Sequence, residues 1–414
     1  MKDALKKTIT LLIATLLCGC AGRSNESITE SDFSPNNSSS SNMITNSSNL
    51  GSSSSGSQSV SSGSQSSSSG SLSGSSSSQS VSSGSQSGSQ SGSSGSQSSQ
   101  SGSQSGSGAV SSKPEEAAGL SPKVFPNELE EIPRGYYSAA RRQGTLVDLN
   151  YSTYESFTYA ERSQPLQKRA VVYLPYGYDE NKQYNVFYLM HGGWSNETTT
   201  LGVPGRPSSM KNVLDNAIAD GKIPPLIVVC PTYNNTSGED SGNYSLALQL
   251  TRNYHNELIN DLIPAVEGKY STYAESTSSE DLKASRDHRA FCGFSMGSVT
   301  TWRTFEYCLD YFRYFAPSSG SFTQDGKYMD DIVKNAGHSW NDFFIIAITG
   351  TDDFAASAFE QQIKNMRNYD SFRYSDTEKE GNLTFRIKEG YSHNGTAAME
   401  YSYNALRWFW NTMV

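Results

Sequence analysis

From residue 125 onward the chain alternates short apolar runs with longer stretches whose apolar residues recur at helical spacing. The runs 170–174, 186–190, 226–230, 290–292, 343–348 and 383–387 are short, rich in Val, Ile, Phe and Tyr, and read as strands. Between most of them, 208–219, 246–270, 298–309, 356–367 and 399–411 read as amphipathic helices. Strands joined by helical crossovers predict an α/β protein with a mainly parallel central sheet flanked by helices. In that architecture the loops at the C-terminal ends of the strands gather along one sheet edge, which is where chemistry is expected.

Upstream the pattern changes completely. Residues 36–112 are almost entirely Ser, Gly and Gln, with repeats such as Gly-Ser-Gln-Ser. With nothing to bury against the entropy of ordering, the segment 21–124 is expected to be a disordered linker, and its Ser/Gly/Gln tract has an r.m.s. span of roughly 50 Å and a stretched reach of roughly 250 Å. A glycosylated stalk is the other reading of this composition. Residues 1–20 carry Lys2, Lys6 and Lys7, then the apolar run 11–17, then Cys18-Gly19-Cys20. This is the layout of a secretory signal, and its apolar run is too short to span a bilayer. The ending Leu17-Cys18-Gly19-Cys20 resembles a bacterial lipobox, which implies lipidation of Cys20 and a secreted protein anchored to the bacterial cell surface; an ordinary secretory signal is the alternative. The catalytic candidates all fall in 125–414, read as one domain.

A formal net charge of −9, with no stripe of Lys or Arg to neutralise phosphates, argues against a nucleic-acid partner. Beyond the signal, Cys230, Cys292 and Cys308 remain, an odd number without CxxC spacing. They read as small core hydrophobes.

Gly293-Phe294-Ser295-Met296-Gly297 matches the G-x-S-x-G nucleophile elbow, with a strand before it and a helix after it. Such a turn forces the serine into a strained conformation and leaves no room for side chains at the flanking glycines. It makes Ser295 the candidate nucleophile and the fold an α/β-hydrolase fold. A serine needs a base, and the chain has five histidines. His191 opens a glycine turn, His255 lies in a helix among charged neighbours and reads as surface, His288 precedes the elbow strand at the wrong end, and His338 sits in a polar loop. His393 follows the last strand and precedes the last helix, where this fold places its base. The orienting acid is expected after the preceding strand, at Thr349-Gly350-Thr351-Asp352-Asp353, where either Asp352 or Asp353 could orient the imidazole. Two backbone amides are expected to bind the oxyanion. Met296 supplies one and the turn His191-Gly192-Gly193 the other, through Gly193 or alternatively Trp194.

These stretches, together with Tyr188-Leu189-Met190 before the glycine turn, Tyr173-Leu174-Pro175-Tyr176-Gly177-Tyr178 and 269–277, resemble the feruloyl esterase modules of clostridial xylanases, in carbohydrate esterase family 1. The resemblance implies hydrolysis of feruloyl or other hydroxycinnamoyl esters, or of acetyl groups, on acylated plant polysaccharide such as xylan, by serine chemistry that needs no metal or organic cofactor, with Asp353, three residues after Gly350, as the preferred acid and Asp352 as the alternative. Asn394 and Gly395 follow His393 where those relatives carry bulky aromatics, which implies an acyl pocket short of one wall. It further implies that a tryptophan at Asn394 would restore selectivity for a phenolic acyl group. A rival from another class is a non-catalytic carbohydrate-binding surface lipoprotein, with Tyr151, Tyr154, Tyr159, Tyr233 and Tyr244 as sugar-stacking candidates.

Overall fold

The computed structural model describes residues 124–410. The expected signal with Cys20 and the Ser/Gly/Gln-rich stretch lie outside the described residues. The strands of the central sheet are β1 Thr145–Tyr154, β2 Pro165–Leu174, β3 Val186–Met190, β4 Ile227–Cys230, β5 Arg289–Phe294, β6 Tyr314–Ser318, β7 Phe344–Asp352 and β8 Leu383–Ser392. They form one eight-stranded sheet in the order β1-β2-β4-β3-β5-β6-β7-β8. β2 runs antiparallel to both β1 and β4, and every other pairing is parallel.

Helices cover both faces, which explains why the strand runs are continuously apolar rather than alternating. The helices are α1 Ser209–Ala219, α2 Tyr244–Glu257, α3 Ile263–Glu267, α4 Ser279–Ala284, α5 Met296–Cys308, α6 Gly326–Asn335, α7 Ala356–Met366 and α8 Gly395–Trp408. On one face, residues such as Val172, Tyr188, Phe291 and Ile345 pack with α2, α5, α6 and α7. On the other, Val171, Phe187, Cys292 and Ile346 pack with α1 and α8. Cys230, Cys292 and Cys308 are free and buried, and burial raises their thiol pKa values, that of Cys292 to about 12.

Three elements depart from the pattern reading. β6 contains Pro317, which removes a ladder donor and disguises a central strand; it sits near the strand's C-terminal end, paired with Gly293. β1 is an edge strand whose apolar side chains alternate with polar ones, so it lacks the continuous apolar signal of its neighbours. The expected helix 246–270 is broken, because Leu258–Leu262 is a π-turn that separates α2 from α3. Pro264 has no amide to donate and crowds the preceding turn, which widens the helix there.

Candidate active site

β5 ends at Phe294 and α5 begins at Met296, leaving Ser295 to make the whole change of direction with φ 60° and ψ −120°. A serine in this region is strained, and the surrounding backbone holds it there. Its amide donates to the Ser318 carbonyl at 3.0 Å, tying the elbow to the end of β6. The glycines are sterically required. A Cβ on Gly297 would stand 2.5 Å from the Met190 carbonyl oxygen, and one on Gly293 would collide with Gly297 itself.

β7 and β8 deliver the second part. Their C-terminal ends come so close that a Cβ on Gly350 would run into the Tyr391 backbone. The approach brings His393, just past β8, against Asp353, just past β7. His393 Nδ1 lies 2.9 and 3.0 Å from the two Asp353 carboxylate oxygens. Asp353 is buried and also accepts from the Ala355 amide at 2.8 Å. Burial alone would raise its pKa, but hydrogen bonds from His393, the Ala355 amide and Ser319 outweigh that and hold the carboxyl below its ordinary range. A carboxylate acceptor on Nδ1 assigns the proton to that nitrogen and leaves Nε2 free to take one. Asp352 is exposed and bonded to the Thr351 hydroxyl. Phe294, directly before Ser295, touches the His393 ring with centroids 4.5 Å apart, so the elbow and the imidazole are neighbours.

The glycine turn after β3 meets the elbow from the other side, and a Cβ on Gly192 would lie 3.6 Å from Ser295 Cβ. The Met296 and Gly193 amides have no hydrogen-bond partner among the described residues. The Trp194 amide is already committed to the Ser241 carbonyl at 3.0 Å, which removes it as an oxyanion donor. The 232–241 loop grips this turn at several further points. Ser241 Oγ accepts from the Ser195 amide and donates to its carbonyl, to which Asn234 Nδ2 also donates. Trp194 itself has φ 55° and is 60% exposed, a bulky ring held in a backbone region that such residues rarely occupy.

The other histidines stand elsewhere. His255 is half-buried rather than on the surface, stacked on Tyr307, and His288 stacks on Tyr273. His338 contacts Asp310. His191 is buried, with Nδ1 against the Gly192 carbonyl and Nε2 against the Thr232 hydroxyl. Of the tyrosines expected to meet sugars, Tyr151, Tyr159 and Tyr233 are buried in the core and Tyr154 is half-buried; Tyr244 is exposed. Among the described residues no three His, Cys, Asp or Glu side chains group as a metal site.

Two features escaped the sequence reading. Phe354 is 82% exposed and lies 4.2 Å, centroid to centroid, from the His393 ring. An aromatic beside the base is therefore present, supplied after the acid rather than after the histidine. Asn394 has a structural role of its own: its side-chain oxygen caps α8 by accepting the Ala397 amide at 3.0 Å, and its Nδ2 donates to Ser392. A tryptophan there would remove the cap, at a cost of about 1 kcal/mol in helix stability. The second feature is the group Thr232, Tyr233, Asn234 and Ser241. Its one signal in the chain is its place after β4, at the same sheet edge.

A family model described as a putative esterase matches residues 166–344. The chain is 41% identical over 246 residues to endo-1,4-beta-xylanase Y of Acetivibrio thermocellus, covering 58% of this chain and 22% of that protein. It is 32% identical over 193 residues to an endo-1,4-beta-xylanase/feruloyl esterase of Xylanibacter ruminicola, covering 45% of this chain and 24% of that protein. The chain thus spans less than a quarter of the length of these curated relatives. Among solved structures, a serine-to-alanine mutant of the feruloyl esterase module from Clostridium thermocellum, complexed with sinapinate, superposes with a TM-score of 0.61 at 34% identity, over 71% of this chain and 98% of the module. Matched across nearly the whole of that module, this chain belongs to carbohydrate esterase family 1, the family of that module, and is a carboxylic ester hydrolase.

Proposed function

We propose that the chain removes feruloyl or related hydroxycinnamoyl groups from acylated plant polysaccharide such as xylan, through an acyl-enzyme on Ser295. The observation that carries this reading is the Asp353–His393 couple set beside a strained serine elbow. Ser295 Oγ attacks the ester carbonyl while His393 Nε2 takes its proton, and Asp353 holds the imidazole in the right tautomer and balances its charge. The Gly193 and Met296 amides receive the oxyanion. Collapse breaks the ester C–O bond, and the departing sugar oxygen takes the proton from His393 and leaves as the hydroxyl. Water, deprotonated by the same imidazole, then releases the acid and restores Ser295.

Exposed aromatic faces at Phe354 and Trp194 support a phenolic acyl group over acetyl. The relatives' names place feruloyl esterase activity alongside xylanase, which supports xylan as the polysaccharide. Hydrolysis of methyl ferulate compared with acetylated xylan tests the reading. Preference for the ferulate is expected; preference for acetyl esters makes the chain an acetyl xylan esterase, and turnover of neither would overturn both acyl assignments. We also propose that Cys20 carries a lipid that anchors the protein at the bacterial surface, with the Ser/Gly/Gln-rich stretch as the tether. A Cys20→Ala variant should leave the membrane fraction, and its retention there would overturn the anchor.

A further inference from the structure

We infer that Tyr233 and His191 are positioning residues for the oxyanion site, locking the Gly192–Gly193 peptide so that its N–H faces Ser295. This deepens the serine-esterase reading and rests on it. The Gly192 carbonyl accepts from His191 Nδ1 at 2.7 Å and from the Tyr233 hydroxyl at 3.0 Å. Two donors occupy both lone-pair sites of that oxygen and fix its direction. In a trans peptide the following N–H points the opposite way. The elbow lies close to the Gly192 α-carbon, where a Cβ would stand 3.2 Å from the Phe294 carbonyl oxygen, and the Gly193 amide has no partner among the described residues. The carbonyl thus faces the 232–241 loop and the amide faces the reacting centre.

The two donors are themselves held. A carbonyl can only accept, so Nδ1 carries the His191 proton and Nε2 accepts from the Thr232 hydroxyl at 2.7 Å. Burial pushes the His191 pKa down to about 4, which keeps this single tautomer at ordinary pH. The Tyr233 ring stacks on the imidazole at 4.5 Å. Behind them Lys168 Nζ donates to the Thr232 carbonyl at 2.8 Å and to Glu257 at 2.7 Å, an ion pair buried in the core. The oxyanion amide is thereby built into a buried polar network that the reaction never touches.

The test uses Tyr233→Phe, which keeps the ring and its stack and removes one donor. Because the Gly193 amide that Tyr233 aims acts on charge that develops only in the transition state, kcat on an aryl ester should fall about tenfold with KM within about twofold. Affinity for an aryl trifluoromethyl ketone, whose serine adduct carries an oxyanion, should fall by the same factor. His191→Asn, which can present a side-chain N–H near the place of Nδ1, should retain more activity than His191→Ala. Where the alanine variant does not fold, Tyr233→Phe alone decides. Wild-type kcat and ketone affinity in Tyr233→Phe, or a change in KM alone, would overturn the inference. Turnover surviving in Ser295→Ala would instead overturn the serine-esterase reading beneath it, so the two failures are distinguishable.

Discussion

Two turns at the same sheet edge face each other across the reacting centre, and they are made in different ways. The elbow 293–297 shows its role in its own residue types: glycines where a Cβ would strike backbone, and a serine at φ 60° between a strand and a helix. The glycine turn 191–195 is not self-sufficient. Its carbonyls and amides are tied to Tyr233, Asn234 and Ser241, and its His191 ring to Thr232, some forty residues away in sequence. Local sterics can position a nucleophile, but a backbone donor must be aimed by partners from another segment. The elbow should therefore lose chemistry when its own residues change, and the glycine turn should lose aim or stability when its partners do.

The sharpest break comes at the elbow. Ser295→Ala should leave a folded domain and lower kcat on any active ester by on the order of 10⁴-fold or more; circular dichroism alongside steady-state kinetics checks both halves. Next, Asp353→Asn should lower kcat roughly 10³- to 10⁴-fold by disturbing the imidazole tautomer, while the exposed Asp352→Asn changes it by less than about threefold. The reverse ranking would move the orienting acid to Asp352.

For the glycine turn the signature is pH-dependent stability. The buried His191 ring has a folded-state pKa of about 4 against an ordinary 6.5. As pH falls through that window the unfolded chain takes up a proton that the folded ring refuses, so stability declines by up to about 3 kcal/mol and levels off below the folded value. His191→Asn has no such group, and its urea midpoint should slope less between those two pH values. An identical slope would mean that another group carries the acid dependence. The smallest effect is expected at Phe354, which is exposed and leans on His393. Phe354→Ala should lower the ratio of kcat/KM for methyl ferulate over an aryl acetate by about tenfold, and an unchanged ratio would place the acyl wall elsewhere, with Trp194 the next residue to test.

Ser295, His393 and the acid pair could be read from the chain because each follows a strand whose apolar run is plain, and because chemistry restricts the residue types. The missed parts share one physical cause. Pro317 hid β6, since a ladder position without a donor looks like a strand breaker until its place near the strand's end is seen. Asn394 read as a lost aromatic because its capping of α8 depends on where the helix starts, four residues before the apolar periodicity suggested. Tyr151, Tyr159 and Tyr233 read as exposed because an aromatic with a hydroxyl suits a surface or a core, and packing chose the core, where Tyr151 and Tyr233 bond to Glu257 and the Gly192 carbonyl.

By itself the sequence determined the α/β order, the strand-turn-helix around Ser295 and the placement of His393 after the last strand, because periodicity and steric exclusion act over a few residues. Tertiary structure alone decided that Asp353 rather than Asp352 meets the imidazole, that Phe354 supplies the aromatic beside it, and that the Trp194 amide is already engaged while that of Gly193 is not. Each of these turns on where a side chain or a peptide plane points after distant strands have paired. Direction in space is set by partners that the local chain does not contain.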